Sequence, residues 1–198
     1  MAGSREELIK SLRQKGFGEE IAQAFAKVKR EKFIPENMKG YAYEDTPLPI
    51  GYNQTISQPF TIAFMLKLLE LKQGQKILEI GAGSGYVLEL MSEIIKEGKI
   101  YGVELIKELA IKSKKLLSKD SNIIIINKSG FNGLKEFAPY DRILISASAK
   151  EVPRHLLEQL KDPGILVSPV KQSIFQLKKE KGKVRKKEFP GFVFVPLV

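Results

Sequence analysis

The sequence predicts an α/β fold, in which helices pack on a doubly wound, mostly parallel β-sheet. Two observations support this prediction. From Thr61 onward, short and continuously apolar segments alternate with helical ones, which is typical of parallel strands that are covered on both faces. The first apolar segment, residues 76–80, runs directly into a glycine-rich turn at residues 81–85, as expected where a buried strand leads into a helix.

The amino-terminal part predicts two helices and a long loop. Ser4 and Glu7 have the spacing of a capping box, which opens a helix that Gly16 can end. A second helix is expected over residues 19–29. Residues 35–60 contain four prolines and two glycines, so we expect no regular element there. Loops of this length in a compact domain are usually functional.

The rest of the chain predicts the sheet and its covering helices. In order, the pattern indicates a helix over residues 61–71, strand 76–80, a helix to about residue 96, strand 100–103, helix 107–118, strands 123–126 and 142–146, helix 153–160 and strand 165–168. An antiparallel hairpin follows, with strands over residues 173–179 and 184–189. Residues 192–195 are a candidate for one more strand.

Composition excludes several kinds of site. The chain has 198 residues, 43% of them hydrophobic, which suits one compact domain. The sequence has no cysteine and one histidine, His155, so thiolate metal sites, His-rich metal centres and cysteine nucleophiles are excluded. The amino terminus is charged and no apolar run is long enough to span a bilayer. We therefore expect a cytoplasmic protein without a membrane partner.

Positive charge is concentrated in one segment. The formal net charge is +10, and residues 171–188 hold eight Lys or Arg and two Glu. This segment coincides with the predicted hairpin. We interpret the charge as the solvated face of that hairpin, and we do not expect a nucleic-acid partner.

The glycine-rich turn predicts a nucleoside site. Glu79, Gly81, Gly83 and Gly85 form the pattern acidic-x-G-x-G-x-G, whereas a dinucleotide motif would need glycine where Tyr86 stands. Glycines here let the backbone approach a ligand at a helix N-terminus. Glu104 ends the next strand, where a carboxylate can accept hydrogen bonds from both ribose hydroxyls.

This combination resembles the cofactor-binding half of class I S-adenosylmethionine-dependent methyltransferases. The resemblance implies S-adenosyl-L-methionine as cofactor, S-adenosyl-L-homocysteine as product and no metal. It also implies a Rossmann-like sheet of seven strands. Glu79 would lie near the methionine amino group, and Glu104 with Leu105 would lie at the ribose.

The sequence favours a carboxylate as methyl acceptor. Methylation of pyrimidine C5 needs a cysteine, and the segment after the fourth predicted strand, Ile145–Ala149, lacks the Asn/Asp-Pro-Pro-aromatic motif of amino-group methyltransferases. Only four aspartates are present, which disfavours metal-assisted methylation. A carboxylate needs neither a base nor a metal, because it is already ionised at pH 7.

The loop before the sheet indicates which methyltransferase family the chain resembles. Gln54-Thr55-Ile56-Ser57-Gln58-Pro59 resembles the signature of the protein-L-isoaspartate O-methyltransferase family, and similar stretches occur along most of the chain, including residues 138–142 and 194–197. The resemblance implies methylation of L-isoaspartyl α-carboxylates in damaged proteins, a protein-repair reaction. It makes Ser57 the active-site serine and places Thr55, Ile56 and Ser57 at the cofactor.

One position departs from the family pattern. Where the family has Gly-Asp-Gly beside the adenine, this chain has Lys128-Ser129-Gly130. Ser129 and Gly130 are therefore the expected adenine contacts, but Ser129 brings no negative charge. Two alternatives remain open: a related methyltransferase acting on RNA or a small molecule, and a protein that binds the cofactor without turnover.

The resemblance also implies the domain organisation. We expect a single methyltransferase domain over residues 1–198. Residues 1–60 would supply the N-terminal helices and active-site loop, residues 61–170 the cofactor-binding core, and residues 171–198 the hairpin and final strand. A monomer is expected.

Overall fold

The computed structural model describes residues 3–151 and 153–194. The α-helices of these residues are α1 (Arg5–Gln14), α2 (Glu19–Lys27), α3 (Pro59–Leu69), α4 (Tyr86–Ile95) and α5 (Lys107–Leu116). The strands are β1 (Leu48–Gly51), β2 (Gln54–Ile56), β3 (Lys76–Ile80), β4 (Lys99–Glu104), β5 (Ile123–Asn127), β6 (Tyr140–Ile145), β7 (Leu160–Val170), β8 (Ser173–Glu180) and β9 (Lys183–Pro190). Short 3-10 helices span Arg30–Phe33, Glu36–Tyr41, Lys135–Phe137 and Arg154–Glu158.

Seven strands form the central sheet, in the order β5-β4-β3-β6-β7-β8-β9. The pairs from β5 to β7 are parallel, and β8 and β9 add an antiparallel hairpin. The order doubles back at β3, because the chain goes from β3 to β4 on one side and later to β6 on the other. Ligands of open α/β sheets bind at such a switch point, beside the carboxyl ends of the strands. The predicted fold class is confirmed.

The two faces of the sheet are covered differently. Side chains alternate along each strand, so that Ile77 and Leu144 join one apolar cluster while Leu78 and Ile143 join the other. Buried residues of all five α-helices belong to the first cluster. On the second face, Leu156 of a 3-10 helix is among the residues that close the core. The first face therefore carries most of the hydrophobic core.

The amino-terminal helices follow the prediction closely. Ser4 Oγ accepts the Glu7 N–H at 3.1 Å, and the Glu7 carboxylate accepts the Ser4 N–H at 2.8 Å, so the capping box is present. Helix α2 ends at Lys27, two residues earlier than expected, since Val28 is already extended. No α-helix among the described residues is long and apolar enough to cross a membrane.

The prediction of an irregular segment over residues 35–60 was wrong. Strands β1 and β2 form a two-stranded antiparallel sheet there, joined by Tyr52 and Asn53. Both residues adopt positive φ angles, 55° and 56°, as a two-residue hairpin turn requires. Pro49 is tolerated because a two-stranded sheet leaves each strand an outer edge without hydrogen bonds.

The α-helix predicted over residues 153–160 was also wrong. A 3-10 helix ends at Glu158, and β7 begins at Leu160. Between them, the Gln159 side chain accepts the Leu134 N–H at 2.9 Å and donates to the Asn132 carbonyl at 2.8 Å. These tertiary hydrogen bonds hold Gln159 against the loop after β5, which stops the helix early.

The strand suggested for residues 192–195 is absent from its described part, residues 192–194, and Val195 lies outside the described residues. Gly191 has a φ of +96°, and the N–H groups of Gly191 and Phe192 both donate to the Gln172 carbonyl at 3.0 Å. The chain therefore turns off the sheet. Phe192 stacks instead on Phe64 of α3, with ring centroids 5.2 Å apart.

Candidate functional site

A cleft lies at the carboxyl ends of β3, β4 and β6, beside the β1–β2 hairpin. It consists of two adjoining cavities. Ser57 and Glu79 line the first cavity, whereas Glu104, Leu105 and Gly130 line the second. The residues that line both are Ile50, Thr55, Gly81, Gly83 and Ser146. The structure thus brings most of the predicted site residues together along one crevice.

The glycine turn forms the floor of the cleft. Gly81 and Gly83 have φ angles of +84° and +53°, a region that side chains disfavour. The N–H groups of Gly81 and Ala82 donate to the Val103 carbonyl at 2.8 and 3.1 Å, which anchors the turn to β4. A Cβ atom on Gly83 would lie 3.4 Å from Ile50 Cδ1, so glycine keeps the passage between the turn and the hairpin open.

Gly85 plays a different part from the other two glycines. It lines neither cavity, and it precedes α4 with a φ of +89°. A Cβ atom there would lie 2.8 Å from Leu117 Cδ1 and 3.2 Å from Ser113 Cβ. Gly85 thus allows the start of α4 to pack closely against α5 and the residue that follows it.

Glu104 is fixed at the end of β4. Its Oε2 accepts the Gly83 N–H at 2.7 Å, and its Oε1 accepts the Ile106 N–H at 2.9 Å. Each carboxylate oxygen can accept a further hydrogen bond. Leu105 is exposed beside it. This arrangement suits recognition of two neighbouring hydroxyl groups.

Glu79 is buried, with 1% of its surface exposed. Its Oε1 accepts the Ser146 hydroxyl at 2.6 Å, but its Oε2 has no hydrogen-bond partner among the described residues. Burial raises the pKa of Glu79 to about 8, the Ser146 hydrogen bond opposes that rise, and the nearby Glu104 carboxylate adds to it. A buried carboxylate oxygen without a partner is costly, so this atom is suited to a cationic ligand group.

Ser57 lies between β2 and α3 and is half-buried. It lines the first cavity together with Ile56, which is buried in the core, while Thr55 is exposed at the junction of both cavities. None of the described residues that line either cavity is Lys, Arg or His. Among these described residues, the Ser57 hydroxyl therefore has no histidine or lysine beside it to activate it as a nucleophile, which favours a role as a hydrogen-bonding group.

The two predicted adenine contacts separate in the structure. Gly130 is buried against the second cavity, where a Cβ atom would lie 2.4 Å from Ile80 Cγ2. Ser129 is exposed and lines neither cavity. Its hydroxyl instead accepts the Phe131 N–H at 3.4 Å, a local turn contact.

Sequence reasoning missed Ile50 and Ser146 as residues of the cleft. Ile50 was hidden in a segment assigned to an irregular loop. Ser146 follows the buried strand β6 directly, and a polar residue at the carboxyl end of a parallel strand is a signal that could have identified it. The part of the chain that the structure describes holds no cluster of three or more candidate metal ligands.

Comparisons with known proteins identify the family of this chain. A family model described as protein-L-isoaspartate(D-aspartate) O-methyltransferase matches residues 3–198. A protein-L-isoaspartate O-methyltransferase of Methanococcoides burtonii is 44% identical over 198 residues, covering 96% of this chain and 98% of the relative. A relative of the same name from Ignicoccus hospitalis is 43% identical over 209 residues, covering 100% of this chain and 99% of the relative.

Solved structures give the same result. A protein-L-isoaspartate O-methyltransferase superposes with a TM-score of 0.88 at 29% identity, covering 98% of this chain, which itself spans 65% of that longer chain. A Plasmodium falciparum protein described as such an enzyme, in complex with S-adenosyl-L-homocysteine, gives a TM-score of 0.87 at 28% identity and 99% coverage of both chains. With a family model matching residues 3–198 and relatives 43–44% identical over nearly the whole chain, the chain belongs to the protein-L-isoaspartate O-methyltransferase family.

Proposed function

We propose that this chain transfers a methyl group from S-adenosyl-L-methionine to the free α-carboxylate of L-isoaspartyl residues in damaged proteins. Membership of the family makes it an S-adenosylmethionine-dependent protein carboxyl methyltransferase. The observation that carries the substrate assignment is the match of residues 3–198 to the family model. The first cavity, which is lined by both Ser57 and Glu79, is the place where cofactor and acceptor would meet.

The residues of the cleft fit the cofactor by their chemistry. The unpartnered Oε2 of Glu79 suits an α-ammonium group, and Glu104, already fixed by two N–H groups, suits the ribose hydroxyls. Gly81 and Gly83 keep the floor of the crevice free of side chains, and Gly130 packs tightly against Ile80 at its edge. Bound S-adenosyl-L-methionine supplies an electrophilic methyl group on a positively charged sulfur.

The acceptor requires little from the protein beyond placement. An isoaspartyl α-carboxylate is ionised at neutral pH, so no group needs to remove a proton from it. We assign to Ser57 the task of donating a hydrogen bond to one carboxylate oxygen, which leaves the other oxygen free to attack. Fixing the reacting atoms in this way lowers the entropic cost of the reaction.

The domain organisation, the oligomeric state and the location of the protein also belong to the proposal. We propose that residues 1–198 act as one methyltransferase domain, in which the β1–β2 hairpin borders the acceptor side. A monomer would suffice, since every group assigned above comes from one chain. A cytoplasmic location is supported by the dependence on S-adenosyl-L-methionine, a metabolite of the cell interior.

The decisive experiment is transfer of labelled methyl groups to an isoaspartyl peptide and to the same peptide with normal aspartate. We expect labelling of the isoaspartyl peptide alone, and the label should be lost under mild alkali as a methyl ester is. Equal labelling of both peptides would contradict the assignment, as would labelling of neither. Transfer to RNA or to a small molecule instead would favour a related methyltransferase activity.

A further inference from the structure

Ser146 has a defined structural relation to Glu79. Its N–H donates to the Ile80 carbonyl at 2.8 Å, which extends the pairing of β6 with β3 by one residue. That pairing places the Ser146 hydroxyl 2.6 Å from Glu79 Oε1. The same carboxylate therefore has one oxygen held by the protein and one, Oε2, without a partner among the described residues.

The charged groups around Glu79 do not neutralise it. Glu104, from β4, is a second carboxylate and raises the pKa of Glu79. Tyr86, from α4, lines the same cavity, and burial raises its pKa above the ordinary tyrosine value. Arg30 packs behind the Tyr86 ring and donates to the Thr46 carbonyl at 3.1 Å, so it forms no ion pair with Glu79. Without a ligand, burial keeps Glu79 mainly protonated at neutral pH.

We infer that Ser146 is a positioning residue that holds Glu79 for the α-ammonium group of the cofactor, and that cofactor binding releases the carboxyl proton of Glu79 to solvent. The inference deepens the proposed function and rests on it. In this exchange the O–H bond of the Glu79 carboxyl ionises, and its proton leaves to water. The Glu79 carboxylate, whose Oε2 atom has no partner among the described residues, would then accept hydrogen bonds from the ammonium group, and the two charges would offset each other.

Proton release makes cofactor affinity depend on pH. Below pH 8, ionising Glu79 costs free energy, so affinity for S-adenosyl-L-homocysteine should rise up to tenfold per pH unit, following linkage. At higher pH the ligand's own amino group loses its proton, and affinity should fall again. A ligand without the amino acid moiety should show neither dependence.

Titration calorimetry at pH 7 in two buffers of different ionisation enthalpy measures the protons released. We expect S-adenosyl-L-homocysteine to cause a net release of up to one proton, because burial favours the protonated form of Glu79 in the free protein. 5′-Methylthioadenosine, which lacks the amino acid moiety, should release none. Glu79→Gln should remove proton release and flatten the affinity between pH 6 and pH 8.

Ser146 is tested by two further variants. In Ser146→Ala the hydrogen bond that favours the ionised carboxylate is lost, so affinity at pH 7 should fall about 3- to 10-fold and the pH profile should move to higher pH. Ser146→Thr keeps a hydroxyl and should restore the wild-type profile. A role in folding alone would leave the position of the profile unchanged. Thermal melts of each variant establish that it is folded.

The outcomes separate this inference from the proposed function. Tight binding of S-adenosyl-L-homocysteine without proton release would overturn the inference while leaving the methyltransferase assignment intact. An unshifted profile in Ser146→Ala would remove Ser146 from the proposed role. Failure of both S-adenosyl-L-homocysteine and 5′-methylthioadenosine to bind would contradict the cofactor site itself, and with it the proposed function.

Discussion

At the scale of single residues, the acceptor end of the cleft depends on one hydroxyl group. Ser57 lines the first cavity, and the described lining residues include no Lys, Arg or His. A serine in such surroundings is a poor nucleophile and a poor base. Its remaining chemical use is to orient an acceptor that is already ionised.

Ser57→Ala should lower turnover roughly 10- to 100-fold, because the attack geometry loosens when one hydrogen bond to the acceptor is lost. Affinity for the cofactor should change little. With saturating cofactor, the rate should stay level from about pH 6 to pH 8, since the acceptor remains ionised. Methylation of an isoaspartyl peptide, measured beside cofactor binding, tests each point, and Ser57→Thr is the matched control. Full activity in Ser57→Ala would exclude Ser57 from the site.

Glu104→Gln should weaken S-adenosyl-L-homocysteine binding by about 2–3 kcal/mol, roughly 30- to 150-fold, because a charge-assisted double contact is lost. The substitution also sets an amide N–H₂ group against one of the two N–H donors, of Gly83 or Ile106, that now fix the carboxylate. Calorimetry measures the loss. Glu108→Gln, on the exposed first turn of α5, is the control, and unchanged affinity in Glu104→Gln would place the ribose elsewhere.

Residue types and spacing predicted the two carboxylates of the cleft, but not the serine that contacts one of them. Glu79 and Glu104 stand at the ends of apolar strands, where topology alone brings carboxyl ends together. The contact between Ser146 and Glu79 joins residues 67 positions apart, and it depends on the register of β6 against β3, which no local pattern reveals. Ser129 was assigned by alignment, yet its exposed position depends on the local turn after β5.

At the scale of elements, the junction between the glycine turn and α4 has a packing requirement separate from ligand binding. Gly85 lies outside both cavities, and a Cβ atom added to it would lie against the side chains of Ser113 and Leu117. The motif x-G-x-G-x-G therefore combines two requirements. Its first two glycines keep the cleft open, and its third lets two helices approach each other.

Gly85→Ala should destabilise the fold by about 1–3 kcal/mol, because the new methyl group meets Leu117 at 2.8 Å and the backbone stays at φ +89°. Gly74→Ala is the matched control, since Gly74 has a φ of +74° with no heavy atom within 4 Å of the added Cβ. Gly74→Ala should cost only about 1–2 kcal/mol, from the backbone conformation alone. Urea unfolding measures both variants, and equal losses would mean that contact with α5 is unimportant.

Local sequence signals predicted helices and strands well where the apolar pattern matched the buried residues. They failed where contacts with distant parts of the chain determined the local structure. Strand β3 matches its predicted bounds of residues 76–80. The β1–β2 hairpin was missed because Tyr52 and Asn53 are not a common pair for a turn with two positive φ angles. The shortened helix before β7 depends on hydrogen bonds from Gln159 to residues more than 20 positions away.

At the scale of the whole molecule, the positive charge of the β8–β9 hairpin has structural uses. Lys186 covers the Phe175 ring at 4.0 Å, and Lys187 lies 5.0 Å from the Phe189 ring. Asp162 accepts the N–H groups of Lys181 and Gly182 at 2.8 and 2.6 Å, which ties the hairpin turn to β7. Lysines along an edge strand also discourage pairing with other chains.

Binding of RNA to this protein should therefore be weak and unselective. Affinity for a labelled RNA oligonucleotide, measured by fluorescence anisotropy, should collapse between about 50 and 200 mM salt, as expected for contacts to phosphates alone. Oligonucleotides of unrelated sequence should bind equally well. Selective binding that survives at 200 mM salt would instead make the hairpin a nucleic-acid surface.

The stability of the ligand-free protein should fall as the pH rises from about 5 to 8. Burial raises the pKa of Glu79 in the folded state to about 8, whereas an unfolded glutamate titrates near 4.3. Between these values the folded state binds more protons than the unfolded state. The free energy of unfolding therefore decreases with pH, by up to about 1.4 kcal/mol per unit.

Burial also raises the pKa values of Glu89 and Asp120, so these two carboxyl groups act in the same direction as Glu79. Three exposed carboxyl groups act in the opposite direction and in a lower pH range. Hydrogen bonds lower the pKa values of Glu19, Glu136 and Asp162, so their contributions are lost only as the pH falls through those values. Urea unfolding of wild type and Glu79→Gln at pH 5.5, 6.5 and 7.5 isolates the effect of Glu79. The stability of the variant should fall less steeply with pH than that of wild type across this window, because Glu89 and Asp120 remain. The variant should be more stable than wild type at the upper end of the window, because its neutral amide needs no ionisation. If the stability of wild type changed with pH in the same way as that of the variant, Glu79 would have to be ionised in the folded protein without a ligand.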